Sequence, residues 1–249
     1  MKLTVLGSAG THAGPDRACS SYLVEHDGFH LLMDCGNGSL SNLQKCVDPA
    51  AIDAVLLTHL HVDHFGDLYG LYYALRFHPS GPGSIPVYAP PGAQAHLAQL
   101  LHGDPEDTFA QVCCFVEARP GDTLDLGPLH LELFAARHPI TTLAPRITVG
   151  DAVLAYSADS AMTDALIDCA RDADVFIADC SWLERMRPLP DGVHMTAKEA
   201  GETAKRANVR TLLVSHVYPT TDPAEAAAEA TSVCDAEVVI AYDLLELQW

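Results

Sequence analysis

Four residues of the kind that bind metal ions crowd one short segment: His59, His61, Asp63 and His64, within Thr58-His59-Leu60-His61-Val62-Asp63-His64. Three imidazoles and a carboxylate set so close together are costly to desolvate, and a divalent cation that takes up their lone pairs removes that cost. In an extended or turning segment His59 and His61 project to the same side, because side chains alternate. Asp63 and His64 then open a helix and aim at a neighbouring point. One stretch therefore feeds two metal positions. A histidine-rich surface loop is the plain alternative. Against it stands the fixed spacing of four ligand-type residues between the apolar run Ala54-Val55-Leu56-Leu57 and an expected helix.

The flanking sequence supplies elements to hold such a cluster. Leu3-Thr4-Val5-Leu6 reads as a strand entering a glycine-rich loop, residues 7–14. That loop has neither the Lys-Ser/Thr ending of a P-loop nor a GxGxxG pattern, so no nucleotide cradle is expected there. Strands at 21–25 and 29–33 flank Asp27-Gly28, a turn that needs positive φ, and the hairpin runs into Asp34. After the histidine motif, Leu68, Leu71, Tyr72 and Leu75 repeat at helical spacing. Residues 85–88 read as a strand and 92–101 as a helix, while 103–123 carry no clear pattern. Residues 129–134 alternate as a strand that delivers Arg137-His138-Pro139.

A rhythm then sets in, with apolar strands ending in ligand-type residues. Residues 153–156 precede Ser157-Ala158-Asp159, 175–178 precede Asp179-Cys180, and 212–214 precede Ser215-His216. Helices are expected between and after them at 163–170, 196–207 and 222–233. Thr196 with Glu199, and Asp222 with Pro223 and Glu225, are the expected helix starts. Strand ends are where an α/β scaffold gathers its chemistry. No solenoid repeat or linker interrupts the chain, so one α/β domain over residues 1–249 is expected.

Acidic residues outnumber basic ones 33 to 14, for a formal charge of −19. Such a surface repels long polyanions, which argues against extended nucleic acid and anionic membrane as partners. The eight cysteines form no CxxC pair and read as buried thiols of a reducing compartment. The first residues are too briefly apolar for a signal peptide, and no apolar run approaches the ~20 residues of a membrane span. A cytoplasmic protein is expected.

Taken in order, the HxHxDH motif, His138 before Pro139, Asp159 within Ser157-Ala158-Asp159-Ser160, and a last His216 resemble the metallo-β-lactamase superfamily over essentially the whole chain. The resemblance implies a four-layer αββα sandwich with two metals at one edge between the sheets. By the same resemblance His59, His61 and His138 hold one metal, Asp63, His64 and His216 the other, with Asp159 and a hydroxide between them. Nitrogen and oxygen ligands of this kind suit zinc first, and manganese or iron as well. Two cations at about 3.5–4 Å acidify a shared water to a pKa near ~7 and hold it as nucleophile.

Within that superfamily, His194-Met195-Thr196-Ala197-Lys198-Glu199-Ala200-Gly201 is similar to the segment ahead of the last metal histidine in the ribonuclease Z-like branch and its phosphodiesterase relatives. There an extra histidine faces the scissile phosphate, which makes His194, with Asp63, a candidate catalytic residue. His194 stands just before a helix N-terminus, where an anion is favoured, and is placed to give a proton to a leaving oxygen. The chain departs from ribonuclease Z at one point. That family's RNA-gripping arm lies between the third metal histidine and the bridging aspartate, and only 20 residues separate His138 from Asp159 here. The expected substrate is therefore a small phosphodiester such as a cyclic nucleotide, as in the compact bacterial members of the branch, and the analogy extends to a homodimer.

Asp34 is a candidate to hold a metal-bound imidazole, since such rings usually give their other N–H to a carboxylate. Arg17, Arg76 and Arg146 are candidates to neutralise a substrate phosphate, and Tyr218 to line the pocket. His12, His26, His30, His78, His96, His102 and His130 read as surface or packing residues. The same site would also open a lactone, thioester or β-lactam, although a glyoxalase's helical substrate-binding domain has no room after the last ligand strand. An iron-dependent oxygenase and a metal-holding protein without turnover are the readings from other classes, because folds of this kind are reused.

Overall fold

The computed structural model describes residues 1–101 and 106–249. In chain order the elements are β1 (Lys2–Gly7), β2 (Ser21–His26), β3 (Phe29–Met33), α1 (Ser39–Cys46), β4 (Ala54–Leu56), α2 (Val62–Phe65), α3 (Leu68–Arg76), β5 (Ile85–Ala89), α4 (Ala93–Ala98), α5 (Glu106–Val112) and β6 (Cys113–Glu117). They continue with β7 (Thr123–Leu126), β8 (Leu129–Ala135), β9 (Leu143–Val149), β10 (Ala152–Tyr156), α6 (Asp164–Ala170), β11 (Val175–Asp179), α7 (Ala197–Arg206), β12 (Thr211–Ser215), α8 (Pro223–Thr231), β13 (Glu237–Ile240) and β14 (Glu246–Gln248).

The strands form two seven-stranded sheets, ordered β14-β1-β2-β3-β4-β5-β6 and β13-β12-β11-β10-β9-β8-β7. Side-chain alternation explains why they stack as the middle of a sandwich. In β3, Leu31 and Met33 enter the core between the sheets, while Leu32 joins the cluster with Leu68, Leu71, Tyr72 and Leu75 of α3. In β11, Val175 and Ile177 face the same central core, while Phe176 and Ala178 pack with Leu166, Ala200 and Ala226 from α6, α7 and α8. Strands covered on both faces read as continuous apolar runs, and helices close each outer face. The architecture is the expected αββα sandwich.

Local chemistry fixes the joints. The β2–β3 hairpin turns on Asp27 and Gly28, at φ 46° and 80°, as its two-residue turn requires. Helix α6 begins on Thr163, whose side chain accepts from Leu166 N, and α8 on Asp222, which accepts from Ala224 N ahead of Pro223. The parallel strands β10 to β13 are separated in sequence by α6, α7 and α8, so each carboxyl end of the first three emerges on the same edge.

Several expectations need adjustment. The helix expected over 92–101 is confined to α4, because Gly92 holds a left-handed φ of 82° at its start and Gln99 closes it. The patternless 103–123 contains α5, β6 and the start of β7 among its described residues; residues 103–105 and His102 lie outside them. Strands β13 and β14, not foreseen, are short edge strands with half-exposed side chains and therefore little hydrophobic signature. All eight cysteines are free, but Cys46 and Cys114 are exposed rather than buried. Among the described residues no helix is long and apolar enough to cross a membrane.

Helix α7 carries the most complete cap. Thr196 Oγ1 accepts from Glu199 N at 3.1 Å, and Glu199 Oε2 accepts from Thr196 N at 2.9 Å. Thr196→Ala should cost about 1 kcal/mol and lower the melting temperature by roughly 2–4 °C in a chain of this size. Calorimetry that finds parent and variant melting together would mean that this box does not hold the helix start.

Candidate metal centre

The edge of the sandwich where β4, β8, β10 and β12 end brings all seven expected ligand residues together. His59, His61, His138 and Asp159 offer ligand atoms within 4.8 Å of one another, and so do Asp63, His64, Asp159 and His216. Asp159 belongs to both groups and is divided between them. Its Oδ1 stands 3.1 Å from His64 Nε2 and 3.2 Å from His216 Nε2. Its Oδ2 stands 3.5 Å from His59 Nε2 and 3.9 Å from His138 Nε2.

The geometry follows from the local chain. Leaving β4, the backbone is irregular through Thr58 to His61, and α2 starts with His61 as its N-cap. His59 and His61 thus extend toward the first group while Asp63 and His64 turn to the second. Asp159 and His216 each arrive one short step past a strand of the second sheet. Ala158 and His216 hold positive φ of 48° and 54°, as do Asp34 at 57° and Thr11 at 68°, so left-handed backbone concentrates around the cluster. The glycine-rich loop after β1 is a cover for it. Thr11 N donates to Asp63 Oδ2 at 2.8 Å, and a Cβ on Gly10 would lie 2.6 Å from His216 Nδ1.

Each imidazole is turned by a second partner. His64 Nδ1 donates to Asp34 Oδ2 at 2.8 Å and His138 Nδ1 to Val193 O at 2.8 Å; both acceptors lack a proton, so each Nε2 is left facing inward. Ser181 Oγ gives its proton to Asp179 Oδ1 at 2.6 Å and so accepts from His216 Nδ1 at 2.8 Å. His59 Nδ1 meets Thr58 Oγ1 at 3.1 Å. Asp34 is fully buried and also accepts from Thr58 N, Thr58 Oγ1 and Tyr156 Oη.

Within this ring of partners, His59 Nε2 and Asp159 Oδ1 are buried without a hydrogen bond, and His64 Nε2 faces His216 Nε2 at 3.3 Å. Ligand-type nitrogens and oxygens converging in this way, two of them without a hydrogen-bond partner, are what a cation site presents, and the residues fit divalent metal binding.

The electrostatics agree. Burial lowers the pKa of His59 to about 4, and His64 adds to the effect. Burial also opposes charging His64 and His216, yet Asp159 and Asp34 raise the first well above its ordinary value, and Asp159, Asp179 and Asp63 raise the second to about 10. Burial alone would raise Asp159, but His216, His64 and His59 hold it well below the usual carboxylate range. The carboxylates thus draw positive charge to this point of the cluster.

Asp179 is the site residue that the sequence reading left unassigned. Its Oδ2 accepts from His194 Nδ1 at 2.8 Å and Ser160 N at 3.2 Å, and its Oδ1 from Ser181 N and Oγ. With both oxygens so engaged it anchors His194 and, through Ser181, His216, rather than offering a free ligand atom. The signal was its place after an apolar strand, in the same rhythm as Asp159. His194 lies beside the cluster, its ring 5.4 Å from those of His138 and His216, walled by Trp182 at 5.1 Å and Tyr218 at 6.4 Å.

The expected arginines are elsewhere engaged. Arg17 donates to the carbonyls of Ser8 and Val217, Arg146 to those of Cys169 and Arg171, and Arg76 to Tyr72 Oη on α3. The arginines that line the cleft beside His194 are Arg137 and Arg187. His26, His30, His78 and His130 pair with nearby carboxylates away from the cluster, and His12 and His96 also stand outside it.

Residues 30–217 match the beta-lactamase superfamily domain. The chain is 36% identical over 243 residues to Rv1339 of Mycobacterium tuberculosis, covering 96% of this chain and 88% of that one. It is 33% identical over 244 residues to the probable metallo-hydrolase YhfI of Bacillus subtilis, covering 97% of each chain, and the crystal structure of YhfI superposes with a TM-score of 0.88 over 99% of both. Ribonuclease Z of Haloferax volcanii is 26% identical over 301 aligned positions, covering 100% of this chain and 95% of the relative. By sequence match, fold and the His/Asp cluster at the sandwich edge, this chain belongs to the β-lactamase superfamily, as a metallo-hydrolase of that fold.

Proposed function

We propose that this chain is a dinuclear phosphodiesterase acting on small phosphodiesters such as cyclic nucleotides. The observation that carries the reading is Asp159, buried between two groups of imidazoles with one oxygen toward each. His59, His61 and His138 would hold one divalent ion and Asp63, His64 and His216 the other, with zinc the first candidate from the donor set. When bound, such a pair supplies an acidified water and a polarised phosphoryl oxygen.

The chain's own residues do the rest. Asp34, Ser181, Val193 and Asp179 fix the imidazole orientations before substrate arrives. His194 stands over the cluster with Nδ1 held by Asp179, which leaves Nε2 to give a proton to the departing oxygen. Burial alone would make His194 less basic, but Asp179 and Asp159 raise its pKa, which keeps the proton available near neutrality. Kinship with a ribonuclease Z supports phosphodiester chemistry. Its alignment runs to 301 positions against the 249 residues of this chain, so about fifty positions of that relative face no residue here. With the acidic composition, that favours a small substrate over a polynucleotide.

Asp159→Ala should lose bound metal and hydrolysis of bis-p-nitrophenyl phosphate together; a variant with parental metal content and rate would remove the assignment. A panel adding lactones and acyl thioesters tests the substrate class, and turnover of those alone would overturn it. For His194→Ala, kcat should drop by roughly 10²–10⁴-fold while metal content by mass spectrometry stays near the parent's. Equal kcat would leave His194 without its role. Because the neighbouring carboxylates raise the pKa of His64 and His216, and ligation needs neutral rings, zinc binding should release protons and strengthen with rising pH. Calorimetry in two buffers of different ionisation enthalpy reads this directly, and identical heats would contradict it.

A further inference from the structure

A cleft of about 200 Å³ opens beside His194, between Trp182, Met162, Leu189 and the Arg137–Asp191 pair. It is too small for a whole nucleotide and large enough for one ring system, with the metal cluster adjacent to receive the phosphate. Its lining is more polar than apolar, with Arg137, Arg187, Asp191, His194 and Glu199 around it and the indole of Trp182 as its aromatic wall. The indole N–H of Trp182 is already donated to Tyr218 Oη at 3.2 Å, so that side chain offers only ring surface to a ligand.

Arg137 stands at the polar side of this cleft. Its backbone is fixed next to His138, with N donating to Ser160 Oγ at 3.0 Å and O accepting from Ala161 N at 3.0 Å. Its side chain runs under Gly192, where a Cβ would come within 3.2 Å of Nε, and the guanidinium meets the Asp191 carboxylate. Asp191 is 83% exposed, so this pair holds weakly and can rearrange around a ligand. Arg187, the other arginine of the cleft, is committed to both Glu184 and Glu199.

The chemistry of the occupant follows. Asp191 already neutralises Arg137, so a second full anion would meet that carboxylate. A neutral, flat ring with acceptors along one edge meets guanidinium donors on that edge and the Trp182 ring on its face, as purine edges do with arginine. We propose that this cleft is a nucleobase subsite and that Arg137 is its specificity-determining residue, with Asp191 steering the guanidinium. The subsite rests on the phosphodiesterase reading for its purpose but not for its detection, because a nucleoside without phosphate can be offered to it.

The test is a titration of the metal-loaded protein with guanosine and with adenosine, followed by fluorescence of Trp182, alongside steady-state kinetics on the corresponding 3′,5′-cyclic nucleotides. Arg137→Gln should weaken nucleoside binding roughly tenfold and raise KM for the cyclic nucleotide by a similar factor, with a smaller change in kcat. Asp191→Ala, a substitution at an exposed position, should weaken binding by about two- to fivefold. Metal content and the circular dichroism spectrum serve as fold controls. If both variants bind nucleosides as the parent does, the subsite is overturned. If the parent binds no nucleoside yet hydrolyses bis-p-nitrophenyl phosphate, the subsite falls and the phosphodiesterase reading stands. Nucleoside binding that is lost in Arg137→Gln, in a protein that turns over no phosphodiester, would support the subsite and sink the reaction.

Discussion

A carboxylate buried between two sets of imidazoles must be matched by positive charge, and that requirement at Asp159 organises the rest of the molecule. Only 2% exposed, Asp159 has imidazole nitrogens at 3.1 to 3.5 Å from its two oxygens and no hydrogen bond to Oδ1. In an apolar interior such a group is costly unless cations stand beside it. The raised pKa values of His64 and His216 register that need, and bound divalent metal would meet it with both rings neutral. The arrangement is therefore suited to exchange protons for metal.

The sandwich holds this charge in place because each group is assembled from both halves. Asp34, Thr58, His59 and His64 come from the first sheet's side, and His138, Tyr156, Asp159 and His216 from the second's. Hydrogen bonds cross the seam beneath the cluster: Tyr156 Oη to Asp34 Oδ2 at 3.1 Å, Tyr22 Oη with Ser215 Oγ at 2.7 Å, and Leu143 N to Thr58 O at 2.9 Å. The two tyrosine rings meet edge to face at 4.9 Å within the central core. Sliding one sheet over the other would break these contacts and separate Asp63 and His64 from His216, so packing beneath the cluster sets the distances between the candidate ligands.

What the sequence disclosed follows from how local the signals were. The HxHxDH spacing encodes a turn into a helix, and apolar strands ending in Asp159 and His216 announce themselves by run length, so the layers and the clustered residues were readable. Asp179 was overlooked because its role is relational: nothing adjacent in sequence says that its two oxygens serve His194 and Ser181. Arg17 and Arg146 were plausible phosphate partners by charge alone, yet their donors go to backbone carbonyls that only the fold brings near. That Gly10 of the glycine-rich loop must lack a side chain to clear His216 depends on a contact across some two hundred residues. Strands β13 and β14 escaped because edge strands bury too little for periodicity to register.

The segment from Arg187 to His194 shows how the scaffold separates what must be rigid from what is free to vary. Val193 O orients His138, His194 is held by Asp179, and Gly192 lies against Arg137, so one eight-residue segment orients a proposed ligand, carries the proposed proton donor and walls the cleft. Its inner end is fixed by hydrogen bonds to buried groups, whereas Asp191 near its middle is open to solvent. Substitution at the inner end would disturb the reaction itself. Substitution at the outer residues would change which substrate arm fits while leaving the imidazoles oriented. A loop tethered in this way would let specificity vary on a fixed geometry of charge, with the proposed chemistry on the buried anchors and the proposed recognition on the exposed residues.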